Sequence, residues 1–525
     1  MAYNNDNDYQ YNSCTSRGIC SVDPRTSSLQ QILVLYLRLT AHYILQMKED
    51  KPAIRSLILN TISIMVSNPE FSENDFKIIT SEFNRELPQI IREYEVLCKE
   101  NNQKPDYIKT TLKYNRKTDI IKSIQQGEKE FLKAQQSIPV EVQNAYTILF
   151  VLAKSLCTNI LDLESFEINE DYGYKRILES LNLLNRDISD ISELKEFITE
   201  TAKINNNLMK RLRQEQIKRY GRQFENEVSH TTTAGKAILV VGSNIRELEN
   251  ILESVKECNI DVYTHDDMIL AHTFPKFSEY KNLKGQFGKG MENCLLDFAT
   301  FPGPIILTRH SLYNVEHLYR GQLYTTDFAY SKGVIPIINN DFSQVIEAAQ
   351  NSRGFKSGKV CESEDIGFDY IETFGLIKKK IDSGKYKRIF IISHGGYTSE
   401  TENYSEKLIE KTPEDVLIIS LSLFSKRENV VCLNAGFDTL ASAQLADDIE
   451  KNTELPITIF FPVCDRHTIS KMIYHSSGKG VNVFVGSCTP IMLNPNLIKT
   501  LTNIFGIQEF TTVKNDLEKI INNEI

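Results

Sequence analysis

The sequence predicts a multidomain α plus α/β protein, with an N-terminal helical bundle followed by α/β domains whose sheets are mostly parallel. Three observations carry this. A chain of 525 residues is too long for one hydrophobic core and implies two to four domains. From about Ser28 to Gly221, apolar residues recur at three- and four-residue intervals, the period of helices packed on one face. Beyond that point the pattern changes to short continuous apolar runs, as in strands of a parallel sheet buried on both faces.

In chain order, LQQILVLYLRLTAHYILQMKE, AYTILFVLAKSLCTNILDL and LKEFITETAKINNNLMKRLRQEQIKRY read as amphipathic or buried helices. Pro88, Pro105 and Pro139 mark breaks between helices, where a missing N–H costs least. The basic stretch MKRLRQEQIKRYGR alternates with polar residues and reads as a solvated helix face. At HTTTAGKAILVVGSN the period switches. Ala237 to Val241 is a strand, Gly242-Ser243-Asn244 a turn, IRELENILESVKECN a helix and IDVYTH a second strand, which together make a βαβ unit. Further strands are predicted at PIILT, VIPII, RIFIIS, VLIISL, ITIFF and VNVFVG, with a seam between two domains near Asn351 to Asp369.

Composition narrows function only broadly. The apolar share of 41% and charged share of 25% are ordinary for a globular chain, and a net charge of -9 argues against a nucleic-acid partner. No run of about twenty apolar residues is present, and MAYNNDNDYQYNSC has neither the basic nor the apolar region of an export signal; no membrane partner and a cytoplasmic location are the expectation. The ten cysteines are mostly single and set in apolar segments, as reduced small hydrophobes are. Cys14 and Cys20 form a C-x5-C pair that reads, on spacing alone, as loop thiols rather than a metal site. Homodimerisation is left open.

The familiar catalytic motifs are missing. The turn VGSN lacks GxGxxG, and the chain has no Walker lysine loop, HExxH or GxSxG. Four histidines (His265, His310, His394, His467) stand at or just after predicted strands, where ends on one side of a sheet converge. Imidazole and carboxylate suit zinc, iron or manganese, so Asp267, His310, His394, Asp465 and His467 are candidate metal ligands. The plainer alternative is that each histidine is hydrogen-bonded locally. In FPGPIILTRHSLYN, His310 and Ser311 can both face inward only if the strand has already ended.

Taken together, AILVVGSNIRELENIL, DVYTHDDMILAH, FATFPGPIILTRHS, DFSQVIEAAQ, NYSEKL, LIISLSL, LPITIFFPVCDRH and VNVFVGSCTPIMLNPNLIKTLTNIFGI resemble successive blocks of the hybrid cluster protein (prismane) family, related to the carbon monoxide dehydrogenases. The resemblance implies an N-terminal segment (1–27), a helical bundle (28–225) and two Rossmann-like α/β domains (226–355 and 356–525). It further implies an iron-sulfur-oxygen hybrid cluster where the domains meet and activity as a hydroxylamine reductase, with nitric oxide reduction as a variant.

Carried across position by position, the resemblance places Ser243 where the family has a histidine ligand, Asp267 where it has a glutamate, and Ser311 where it has a cysteine. Gly395, Leu423 and Phe437 (or Asp438) fall on further cluster cysteines; Asp465 falls on the last carboxylate, and His467 replaces the lysine after it. Of the N-terminal cubane motif only Cys14 and Cys20 match, with Ala2 and Asn5 at the leading cysteines. Hydroxyl, hydrogen and hydrocarbon side chains do not replace thiolates on iron sulfide, so both clusters are expected to be absent. Cys464 and Cys488 are the substitutes nearest the crevice. The leading expectation is a scaffold retained to bind a small molecule or protein partner, its vacated space either filled by Leu423, Phe437 and their neighbours or left as a cavity able to take a small molecule. The alternatives are a metal-dependent enzyme using the His/Asp set and a reductase of the family type.

Overall fold

The structure, a computed structural model, describes residues 24–47, 51–66, 73–110, 112, 119–186, 188, 190–288, 290, 293–311, 319, 321–328, 333–393, 399–436, 438–463, 465–488 and 495–522. Helices α1 (Pro24–Met47), α2 (Pro52–Ser63), α3 (Glu73–Glu100), α4 (Ile120–Ser137), α5 (Val140–Ser165), α6 (Asp171–Leu183) and α7 (Ile191–Tyr220) form the bundle. Pro139 caps the start of α5, where a residue without an N–H is tolerated. Pro88 differs from expectation because it lies inside α3. Burial of Phe76, Phe83, Leu87, Ile90 and Tyr94 along the same helix outweighs the hydrogen bond it removes. α5 is long and apolar enough to cross a membrane by length and composition, yet 67% of its apolar window is buried inside the protein.

The α/β half opens with β1 (Asn226–Ser229), β2 (Lys236–Val241), α8 (Ile245–Ser254), β3 (Ile260–His265), β4 (Leu283–Gln286), α9 (Cys294–Thr300), β5 (Ile305–Leu307), β6 (Leu323–Thr325), β7 (Ile335–Pro336) and α10 (Ser343–Asn351). It continues through β8 (Ser363–Ile366), α11 (Tyr370–Asp382), β9 (Arg388–Ile392), α12 (Ser399–Lys411), β10 (Val416–Ser420), β11 (Val430–Cys432) and α13 (Thr439–Lys451). The last elements are β12 (Ile457–Val463), α14 (Thr468–Ser476), β13 (Val481–Cys488), α15 (Pro495–Phe505), β14 (Gln508–Glu509) and α16 (Val513–Ile521).

Two six-stranded sheets result, with orders β4-β3-β2-β5-β6-β7 and β11-β10-β9-β12-β13-β14. Every pairing within them is parallel. Each strand order reverses once, between β2 and β5 and between β9 and β12, and crevices open at the carboxyl ends of the strands at such reversals. The expected seam does not dangle. β8 pairs antiparallel with β1, and bridges Thr232↔Lys359 and Gly235↔Phe355 fasten the seam to the start of the first α/β unit. Strands β4, β6, β11 and β14 escape the apolar-run reading because LKGQ, LYT, VVC and QE are short and are not embedded in a longer apolar run, as the equally short β5 and β7 are in PIILT and VIPII.

Candidate functional site

At the first reversal the chain is packed tightly around one glycine. Gly242 follows β2 with φ +119, and a Cβ there would lie 2.0 Å from Ser311 Oγ and 2.3 Å from Thr308 Oγ1. Glycine alone accommodates that backbone and that closeness. β5 ends at Leu307, so His310 and Ser311 lie beyond the strand, with His310 at φ +64. Ser311 is buried, its N–H donating to the Thr308 carbonyl at 3.0 Å and its hydroxyl 3.3 Å from that of Thr308. His310 turns toward the helical bundle, with Nε2 2.8 Å from Ser63 Oγ and its N–H donating to Asp327 Oδ2 at 2.8 Å. Burial, then the cations Arg466 and Arg309, push its imidazole well below the ordinary range and keep it neutral.

The second reversal is charged. Burial would raise the Asp465 carboxyl, but Lys471 Nζ at 2.9 Å holds it well below the usual carboxylate range. His467 is buried and pushed down to about 3 by desolvation. Its Nδ1 sits 2.7 Å from Ser155 Oγ on α5, while Asn205 Nδ2 on α7 donates to that same oxygen at 2.7 Å. The serine hydroxyl thus bridges the imidazole and the Asn205 amide.

Between the two reversals and the bundle lies a cavity of about 80 Å³. Asn159 and Asp162 of α5, Ser243, Asp267, Asp438, Arg466 and His467 contribute to its wall. Arg466 Nη2 donates to Ser243 Oγ at 2.5 Å, joining the two α/β units across it. Asn244 caps α8 by accepting from the Glu247 N–H at 3.1 Å and also donates to Asp162 Oδ1 at 3.1 Å, tying the bundle to the same point. Asp267 also borders an open cleft of about 1190 Å³ between the ends of β3 and β4 and the 355–366 segment.

Of the candidate residues, Ser243, Asp267 and His467 thus share one wall. Asp465 lines a smaller neighbouring space beside Lys471, and His310 is engaged by the bundle. Leu423, three residues beyond the end of β10, packs against the core that contains Phe390, Ile392, Phe460 and Phe484. Arg466 occupies the junction instead. Gly395, His394, Phe437, Cys464, Cys14 and Cys20 lie outside the described residues, as does the side chain of Cys488.

Among the described residues, no group of three or more His, Cys, Asp or Glu side chains is placed to hold a metal ion. The cavity wall presents carboxyls, amides, a hydroxyl, a neutral imidazole and a guanidinium, with no cysteine among its described residues. Cys157 is near in sequence but buried, its Sγ donating to the Leu59 carbonyl at 3.2 Å, and desolvation pushes its thiol far above the ordinary range. That donor set does not suit a soft iron-sulfide core. The sequence reading missed Arg466, Asn159 and Asp162. Polar residues interrupting the apolar run TILFVLAKSLCTNILDL were the available signal for the last two.

A family model described as the Prismane/CO dehydrogenase family matches residues 9–447. A protein named hydroxylamine reductase from Acidiphilium cryptum (strain JF-5) is 24% identical over 526 residues, covering 95% of this chain and 94% of that protein. Another of that name from Thermodesulfovibrio yellowstonii is 25% identical over 535 residues, covering 97% and 98%. The solved carbon monoxide dehydrogenase from Thermococcus sp. AM4 matches at 12% identity with a TM-score of 0.48, covering 98% of this chain and 90% of that one.

Proposed function

The chain belongs to the Prismane/CO dehydrogenase family, and on that premise we propose that it is a cofactor-free member whose three-domain junction has become a binding site rather than a redox centre. The observation that supports this most is the Arg466–Ser243 hydrogen bond across the cavity. A guanidinium held there brings positive charge and five N–H donors to the place where the resemblance puts an iron assembly, and it offers iron no lone pair. The described wall likewise supplies no thiolate.

The relatives' name, hydroxylamine reductase, implies electron transfer to a nitrogen substrate. Neutral imidazole, carboxyl and amide groups cannot store electrons, so the described residues alone do not support that activity. The test is protein purified without oxygen, with its absorption spectrum and its iron and acid-labile sulfide content measured. Colourless protein with iron and sulfide far below one per chain is expected. A brown preparation with several irons per chain would overturn the proposal.

A further inference from the structure

The two-stranded ribbon that fastens the seam to the first α/β unit is held down on one face only. Val228 of β1 and Ile366 of β8 are buried against Ile269, just beyond β3. The opposite face carries Glu227 and Asp365, which the ladder sets directly across from each other, and both are exposed. Like charges opposed across a ladder are unfavourable, and neither carboxylate has an ion pair among the described residues. A cation set between them would relieve both.

The outer edge of the ribbon is open as well. β8 has β1 as its one ladder partner among the described residues, so half of the backbone N–H and C=O groups of Ser363–Ile366 point away from the ladder. Ser363, Glu364 and Asp365 are exposed in succession. Successive side chains of a strand leave by opposite faces, so both faces are open there and the edge between them is reachable. The cleft of about 1190 Å³ borders the same segment at Glu362, Ser363 and Glu364; of its described charged residues five are acidic and two, His230 and Lys359, are basic. His230 is engaged by Glu364, its Nε2 3.2 Å from Oε2. Negative charge therefore prevails on both sides of the edge.

We propose that the outer edge of β8 accepts an extended, basic segment of a partner protein as a third strand, its main chain pairing with Ser363–Ile366 and its Lys or Arg side chains reaching the Glu227–Asp365 face and the Glu362–Glu364 side of the cleft. The open backbone groups require a peptide, since a free cation meets carboxylates alone. Acidic side chains on an edge are also the usual guard against aggregation, but the guard is selective. A second copy of this chain would bring carboxylate against carboxylate, whereas a basic strand meets attraction on both faces. Val360, three residues before the strand and 88% exposed, adds an apolar contact for an aliphatic side chain of the same segment. The site lies on the ribbon, so it stands whether or not the three-domain junction holds a cofactor.

The test uses the full chain and a fluorescent, acetylated octapeptide of alternating lysine and valine, with glutamate in place of lysine as the control. A saturable anisotropy change with the lysine peptide alone is expected, its affinity weakened about tenfold or more by high salt and in Glu227→Lys. That variant places opposite charges across the ladder, so it should fold at least as well as the parent while occupying the Asp365 carboxylate itself. Hydrogen exchange is the second readout: bound peptide should slow the Ser363–Ile366 amides that point away from β1. Equal affinity for the acidic peptide, undiminished affinity in Glu227→Lys, or bound peptide that leaves those amides exchanging as before would each overturn the proposal. So would no binding at all, or a free chain whose edge amides are already protected in a dimer.

Discussion

The two strand-order reversals meet at one junction but are built from opposite materials. The first is closed by small side chains at its turn: Gly242, Thr308 and Ser311 sit so close that hydroxyl oxygens occupy the space a Cβ would need, with the Arg309–Glu247 ion pair set beside them. The second carries Asp465, Arg466, His467 and, one helical turn on, Lys471. The difference teaches that one fold can close a crevice in two ways, by shrinking side chains until backbones touch or by filling the space with charges that satisfy one another. The first way is sensitive to volume and the second to charge.

The largest expected effect follows from volume. Gly242→Ala forces a side chain into a left-handed backbone and onto Ser311 and Thr308. Backbone strain and overpacking together should cost about 2–5 kcal/mol. The check is the chemical-denaturation midpoint, with Ser243→Ala as a control that adds no volume. An unchanged midpoint would show that the first reversal is loosely packed and would erase the contrast.

Next in size is a charge effect. Lys471 is almost fully buried, donating to Thr439 Oγ1 at 2.6 Å and to Asp465 Oδ2 at 2.9 Å. Lys471→Met strands the Asp465 carboxylate and should cost about 3 kcal/mol, most of it regained in the Lys471→Met, Asp465→Asn double variant. Additive losses in a double-mutant cycle would show that the pair is not a unit. Volume-matched Met ensures that charge, not packing, is what changes.

Most of the architecture was legible because burial leaves a periodic trace. β2, β3, β5, β9, β10, β12 and β13 are apolar runs in the sequence, and the bundle helices repeat at helical spacing. Leu323–Thr325 and Val430–Cys432 left no trace, since they are as brief as β5 but lack the longer apolar run that marks it. The site was legible only in part. Ser243, Asp267 and His467 could be placed at strand ends from the chain, but their partners come from far away in sequence: Ser155 is 312 residues from His467, and Ser243 is 223 from Arg466. Which of two adjacent polar residues turns toward the cavity depends on where a strand stops, as with His310 beyond β5.

The smallest effect, and the one that separates the two reversals by sign, is in pH. His467 is neutral in the fold, with its proton affinity lowered to about 3, whereas an unfolded histidine titrates near 6.5. Its contribution is therefore complete above about pH 6.5 and is lost as pH falls below that value, because the unfolded chain takes up the proton first. Asp162 runs the other way: raised to about 6 from an ordinary value of 3.8, it favours the fold at low pH and loses that contribution as pH rises between those values. Stability measured by denaturant midpoint from pH 7 to pH 4.5 should fall less steeply in His467→Gln than in the parent, by about 1.4 kcal/mol per pH unit at most, since glutamine can still hydrogen-bond Ser155 but cannot titrate. Asp162→Asn should change the slope in the opposite sense over about pH 4 to 6. If His467→Gln keeps the full acid sensitivity, the neutral imidazole is not what makes the charged reversal vulnerable to acid; the Asp465–Lys471 pair is no substitute, since a carboxyl held low in the fold loses its contribution only as pH falls below the ordinary carboxylate range.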